Sequence, residues 1–314
     1  MHANIHVNAI SRSDGKNSVA ASAYRSGRSV VAAAAYRAGE KLQDKQVEKT
    51  FDYTRKQHIE AQAVLAPEQA KDWARDRQSY WNAVEAYEKR KDALLAKEAV
   101  LVLPRNLNQE QRKQVVEGWA NDNLVQKRGL VVDYAIHAPE ASDGEKNYHA
   151  HVLYYPRPIA AGGEFAAKKL TGYKTENTVD GTKVLKSFRF SYQEHLNRAS
   201  AANDNNKIIW DLRSYRERGI DRVPQPKKGR KVTALEKQGF KTEWSKEIEI
   251  TKAVNKAKAG QERFTDIYAT LGRGHQGQEQ VAEKNRQHIA AQQHYALMAQ
   301  EEEKQILNQI EYER

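Results

Sequence analysis

The sequence predicts a domain of strands interleaved with helices, α/β or α+β, over residues 1–240, and a charged helical extension over residues 241–314. Three observations carry this. Apolar runs bounded by turn residues recur at 98–103, 129–137 and 148–159, the pattern of buried strands. Tracts with apolar residues at helical spacing lie between and around them, so the two element types alternate along the chain. From Trp244 the texture changes: proline disappears, glycine is confined to Gly260, Gly272, Gly274 and Gly277, and charged residues alternate with Ala, Ile and Leu to Arg314.

In chain order, residues 3–10 read as a strand, with Ile5, Val7 and Ala9 alternating against His6 and Asn8. Residues 11–16 are polar and form a loop. An alanine-rich tract follows, a helix capped by Asn17 or Ser18. Residues 41–56 read as loop. Trp73, Tyr80, Trp81, Val84 and Tyr87 recur near helical spacing and predict a helix over 68–97. EAVLVL at 98–103, closed by Pro104, is a buried strand. Residues 108–124 are helical, capped by Asn106 or Asn108. GLVVDYAIH (129–137) and YHAHVLYYPRPI (148–159) are two further strands, joined by the turn-forming APEASDGEKN. Residues 188–202 are helical, and 216–241 are strongly basic.

Composition narrows the function. No stretch approaches the roughly 20 apolar residues that span a bilayer, so no membrane insertion is expected. MHANIHVNAIS lacks the apolar run and cleavage site of a signal peptide. Cysteine is absent, which excludes disulfides and thiolate metal sites and suits a reducing cytoplasm. Lys plus Arg number 52 against 41 for Asp plus Glu, a net charge of +11. A surplus of that size suits a polyanion, nucleic acid first.

Three of the ten histidines converge. His149 and His151 are two apart in a strand and project from one face. His137 ends the preceding strand. An antiparallel hairpin turning near Asp143–Gly144 pairs His137 with His149 or His151, and three imidazoles then share a face. Three neutral nitrogen ligands leave coordination positions open for substrate. SVAASAYRSGRS and VVAAAAYRAGE repeat one phrase, with Tyr24 and Tyr36 at matching places. Open metal positions, a basic chain and a tyrosine together point to phosphoryl transfer on DNA, with the phenol as covalent nucleophile.

In these residues the chain resembles the MobA/MobL-type mobilisation relaxases, enzymes with a His–hydrophobic–His metal motif. ISRSDGKNSVAASAYRSG resembles the family's opening strand, loop and tyrosine helix. DYTRK (Asp52–Lys56), Trp81–Pro104, YAIH, NYHAHVLYYPRPI and RGIDRVP (Arg218–Pro224) are similar to its later phrases. The resemblance spans about residues 3–240. It implies an α+β fold, an antiparallel-rich central sheet flanked by helices. It implies a divalent metal, Mg or Mn, held by His137, His149 and His151. It implies nicking of single-stranded DNA at an origin of transfer through a 5′-phosphotyrosine, religation after transfer, and relaxosome accessory and coupling proteins as partners. Glu98 falls on an acidic family position, where it orients a ligand, assists proton transfer, or is merely a strand-edge carboxylate. Arg12, Lys16, Arg25 and Arg28 beside the tyrosine, and Lys168 and Lys169 beyond the hairpin, are the expected DNA-binding cations. Three departures stand out: a longer loop before the His pair, Lys227 and Lys228 before Gly229 where the family has a histidine, and the doubled tyrosine phrase.

The doubled phrase leaves two candidate nucleophiles. On one continuous helix Tyr24 and Tyr36 lie about 18 Å apart along the axis and about 120° apart around it, so both cannot serve one metal. The RAGEKLQD and DYTRK stretches favour Tyr36. Spacing from the ISR loop favours Tyr24, in the second turn of a helix beginning near Asn17, and Tyr24 is preferred. Rival readings are a rolling-circle replication initiator using the same chemistry and a non-catalytic plasmid DNA-binding protein.

Overall fold

The computed structural model describes residues 4–12, 29–141, 143–172, 178–201, 209–226 and 229–271. They divide between two compact units, Met1–Leu212 and a second from Arg213 onward.

The first unit is built on a five-stranded sheet. Its strands are β1 (Asn4–Ser11), β4 (Ile59–Leu65), β5 (Leu94–Val102), β6 (Val132–His137) and β7 (His149–Tyr154), in the order β1-β5-β7-β6-β4. Every neighbouring pair is antiparallel. The expected α+β sheet is therefore antiparallel throughout.

Each face of the sheet buries its own core. On one face Leu101, Val152, Tyr134 and Ile136 pack with Trp119, Phe188 and Tyr192. The last three come from α3 (Gln109–Ala120), which runs on into a π-helical turn (Asn121–Gln126), and from α4 (Thr182–Ala201). Asn108 caps α3 as expected: its side chain accepts from Gln111 N–H, and Gln111 reaches back to the Asn108 N–H. On the other face Leu153, Tyr155 and Val131 pack with α1 (Val30–Ala38) and α2 (Arg77–Tyr87).

Several boundaries differ from the sequence reading. Residues 41–56 contain a hairpin, β2 (Lys41–Asp44) and β3 (Lys49–Asp52). Leu42 and Phe51 pair across it and are buried; two apolar residues in a polar tract are too short a period-two signal to read. β4 went unassigned because its sequence, IEAQAVL, is only half-buried at a sheet edge. The expected helix over 68–97 is only α2, capped by Asp76, preceded by a 3₁₀ turn (Asp72–Ala74). Its helical pattern ends at Tyr87, and LLAKEAVLV is the strand β5, alternately buried between β1 and β7.

The alanine helix is also corrected. The described helix α1 begins at its cap Ser29, whose backbone is extended (φ −112°, ψ 130°) and whose hydroxyl accepts from Ala32 N–H. One continuous helix carrying both tyrosines is thereby excluded. Tyr24, Lys16, Arg25, Arg28, Lys227, Lys228 and the glycine cluster of residues 272–277 lie outside the described residues.

In the second unit, α6 (Glu243–Leu271) agrees with the expected helical texture from Trp244, and α5 (Arg230–Lys237) is a helix in the basic stretch before it, where none was expected. No helix among the described residues is long and apolar enough to cross a membrane.

Candidate metal centre

The β6–β7 hairpin builds the histidine cluster. Its register pairs His137 with His149, one of the two registers the sequence allows, and sets His151 opposite Ala135. The turn closes near Gly144, whose φ of +79° suits glycine. Strand alternation then puts all three rings on the face covered by α1. Ring centroids lie 4.8–5.5 Å apart. One nitrogen from each ring lies within 4.8 Å of the others, spacing that fits a shared metal ion.

Each ring donates one hydrogen bond. His149 Nδ1 donates to the Asn147 carbonyl at 2.9 Å, and His151 Nδ1 donates to Glu98 Oε1 at 2.7 Å. His137 Nε2 donates to the Arg37 carbonyl at 2.7 Å. Carbonyls and carboxylates only accept, so each ring keeps a lone pair on its remaining nitrogen. Ligand histidines anchored through the second nitrogen are the arrangement metal sites use. Burial, joined by the charges of Lys56 and the neighbouring rings, pushes His137 down to about 3. Burial also lowers His149. Neutral imidazoles are the form that binds a metal.

Glu98 is not an edge residue. It sits on β5, between β1 and β7, and is 4% exposed. Burial opposes its charge, but the Arg37 guanidinium and the His151 ring outweigh burial and hold it well below the usual carboxylate range. Arg37 Nε donates to Glu98 Oε1 at 2.5 Å, so one carboxylate orients a candidate ligand and anchors α1.

That anchoring fixes Tyr36, the residue before Arg37. Three contacts hold the helix. Val30 N–H donates to Glu85 Oε1 at 2.7 Å. Arg37 holds Glu98. Gly39 closes the C-terminus at φ +65°, where an added Cβ would come within 2.3 Å of Ile59 Cδ1. Tyr36 is 37% exposed, its ring edge-on to Tyr53 at 5.3 Å. The Lys56 ammonium lies 3.9 Å from the Tyr36 ring centroid and 3.4 Å from His137 Nε2. Burial, aided by Arg37, pushes Lys56 down to about 8.

Two expected DNA-binding cations are spent elsewhere. Arg12 pairs with Glu85 and donates to the Glu88 and Arg90 carbonyls. Lys169 pairs with Glu88 and donates to the Leu94 carbonyl. Leu94 lies six residues along β5 from Val100, the partner of His151, which is about 20 Å of strand. Lys168 is exposed. Arg37, Lys56 and Tyr53 build the site yet had no role in the sequence reading. Their only signal was position, Arg37 directly after the tyrosine and the other two inside DYTRK.

A model of the MobA/MobL family matches residues 28–238, more than half of the chain. The chain belongs to the MobA/MobL family. It is 32% identical to the conjugal transfer protein TraA of Agrobacterium fabrum (strain C58 / ATCC 33970) over 269 residues, covering 77% of this chain and 23% of TraA. It is 28% identical to the mobilization protein MobL of Acidithiobacillus ferridurans, covering 73% of this chain and 62% of MobL. The chain thus spans about a quarter of the length of that TraA. A solved chain from "Molecular Basis of Vancomycin Resistance Transfer in Staphylococcus aureus" superposes with a TM-score of 0.58 at 22% identity, covering 68% of this chain and 100% of that one. That likeness shows a shared fold.

Proposed function

We propose that this MobA/MobL protein is a relaxase that nicks single-stranded DNA at an origin of transfer, with Tyr36 as nucleophile. The observation that carries the reading is the half-exposed Tyr36 on a helix whose next residue, Arg37, is tied to the histidine cluster through both its carbonyl and its guanidinium. We prefer Tyr36 to Tyr24 as nucleophile because its neighbour on α1, Arg37, is bonded to His137 and to Glu98; these contacts support the reading.

In the step, the Tyr36 Oη–P bond forms and the P–O3′ bond breaks. The phenolic proton passes to solvent, and the released 3′ oxygen takes one from water. The reverse reaction, with a 3′ hydroxyl attacking the phosphotyrosine, rejoins the strand. The three lone pairs fit a divalent cation, Mg or Mn, which would supply charge to polarise the scissile phosphate. Glu98 keeps His151 in one tautomer and orientation, and His137 stays neutral. The net charge of +11 supports a polyanionic substrate. Accessory and coupling proteins belong to the same reading, in keeping with relatives named for conjugal transfer and mobilisation.

The test is a labelled single-stranded oligonucleotide carrying the plasmid's origin of transfer, incubated with Mg or Mn and run on a denaturing gel. Wild type and Tyr24→Phe form a covalent adduct; Tyr36→Phe and the double variant His149→Ala/His151→Ala do not. Specific binding with no adduct under any metal would replace the reading with a non-catalytic DNA-binding protein. An adduct on a replication origin in place of the transfer origin would favour a rolling-circle initiator. An adduct lost only in Tyr24→Phe would return the nucleophile to the first copy.

A further inference from the structure

Lys56 stands between Tyr36 and His137. Its ammonium donates to the Tyr36 carbonyl at 2.7 Å and lies 3.4 Å from His137 Nε2 and 3.9 Å from the Tyr36 ring centroid. Its position is built into the fold. Lys56 N–H donates to the Tyr53 carbonyl at 2.9 Å, and Tyr53 N–H to the Glu40 carbonyl at 3.2 Å, which ties this connection to the end of α1. Two residues on, the His58 carbonyl accepts from Ala138 N–H at 2.8 Å, directly after His137. The segment carrying Lys56 is therefore pinned at one end to the tyrosine helix and at the other to the histidine hairpin.

What the ammonium lacks is an anion. Among the described residues it donates to a carbonyl and lies beside an imidazole N–H and a phenol ring, and none of these is a carboxylate. The carboxylate of this corner, Glu98, is already shared between Arg37 and His151. A half-buried cation without a counter-ion carries an uncompensated desolvation cost. An incoming phosphate removes that cost, and an ammonium beside the nucleophile meets the phosphate where charge develops.

We propose that Lys56 is a phosphate-binding catalytic residue, whose ammonium receives a non-bridging oxygen of the scissile phosphate while Tyr36 attacks. The inference rests on the relaxase reading above and adds to it a cation borne by the protein itself. Lys56 acts as a fixed charge: it neither gives nor takes a proton, and the bonds made and broken are those of the Tyr36 step.

The full chain is compared as wild type, Lys56→Met and Lys56→Arg, by three measurements. Calorimetric Mn binding checks the histidine cluster and is expected unchanged or tighter in Lys56→Met, because a cation beside a ligand is gone. Calorimetric binding of inorganic phosphate to the Mn-loaded protein is expected to weaken roughly 10–100-fold in Lys56→Met, the worth of one charged hydrogen bond, and to recover in Lys56→Arg. Adduct formation with the origin oligonucleotide should fall with phosphate affinity and recover likewise. Wild-type phosphate affinity and adduct rate in Lys56→Met, with Mn binding intact, would overturn the proposal while leaving the relaxase reading in place. Lys56-dependent phosphate binding with no adduct from wild type would keep the anion site and sink the relaxase reading. Loss of Mn binding in both variants would show Lys56 to be a structural support of the cluster and would also overturn the proposal.

Discussion

Replacing Glu98 by Gln tests how the metal cluster and the tyrosine helix are joined. Gln keeps the shape of the side chain and one accepting oxygen but removes the charge. In the native protein that charge faces Arg37, 5% exposed, and the Nδ1–H of His151. Removing one partner of a buried ion pair costs about 3–5 kcal/mol, because the remaining charge is left uncompensated. The retained oxygen can still accept one hydrogen bond, so the lower end, about 3 kcal/mol, is expected. With a urea m-value of about 3 kcal/mol/M, the unfolding midpoint falls by about 1 M. The same carboxylate orients His151, so Mn affinity drops about 10–100-fold. The assay is urea unfolding in chelator, followed by tryptophan fluorescence, with Mn calorimetry in parallel. Adding Arg37→Met to Glu98→Gln should recover part of the lost stability, since no unpaired charge remains. A midpoint shift below about 0.3 M, under 1 kcal/mol on the same m-value, with unchanged Mn affinity, would refute the coupling.

The metal-free protein should lose stability in acid. His137 is pushed down to about 3, against 6.5 when unfolded, so between those values the unfolded state binds the extra proton and stability rises with pH. Its share of the loss from pH 7 to pH 4.5 is about 3 kcal/mol; Glu98, held low in the fold, adds in the same direction below its unfolded range. His137→Gln should flatten the profile of urea midpoint against pH, and an unchanged profile would disprove the assignment. Asn108→Ala removes the side-chain half of the α3 capping box, the acceptor for the Gln111 N–H, and should cost about 1 kcal/mol, read as a urea midpoint shift. Deleting residues 17–28 should leave both the melting temperature and the Tyr36 adduct in place, and a collapsed melting transition would contradict this.

The sheet was largely legible because its central strands are apolar runs between clear turns. The histidine hairpin was legible to within one register step, since the turn residues bound where it could close. What could not be read was set by tertiary partners. β5 takes its first four residues, Leu94–Lys97, from the end of the stretch read as helix, beyond the periodic residues that stop at Tyr87, and pairing with β1 and β7 makes them strand. Arg12 and Lys169 look like free cations in sequence, and Glu85 and Glu88, over 70 positions away in each case, claim them. Lys56 reads as one basic residue among many until the β3–β4 connection carries it to the tyrosine.

The doubled phrase shows why one copy of a near-identical pair occupies the site. Shifted by twelve positions, the first copy would put Ser18, Ser22 and Ser26 where Val30, Ala34 and Ala38 now stand. Those three are buried against the sheet at 0–3% exposure, so three hydroxyls would enter an apolar core. Arg28 would replace Glu40, whose carboxylate accepts from Arg77 at 2.5 Å and from Gln62 at 3.0 Å; a guanidinium there would face Arg77 with like charge. Asn17 in place of Ser29 is neutral, since both cap well. Tyrosine, arginine and glycine are the same in each copy, so the chemical residues do not discriminate. The choice falls to the alanines and to one glutamate. The geometry of the chain permits it as well. The Arg12 side chain and the Val30 N–H meet on the same carboxylate, Glu85. The end of β1 and the start of α1 therefore converge on one carboxylate. The tyrosine proposed as nucleophile is thus the one whose neighbours can be buried.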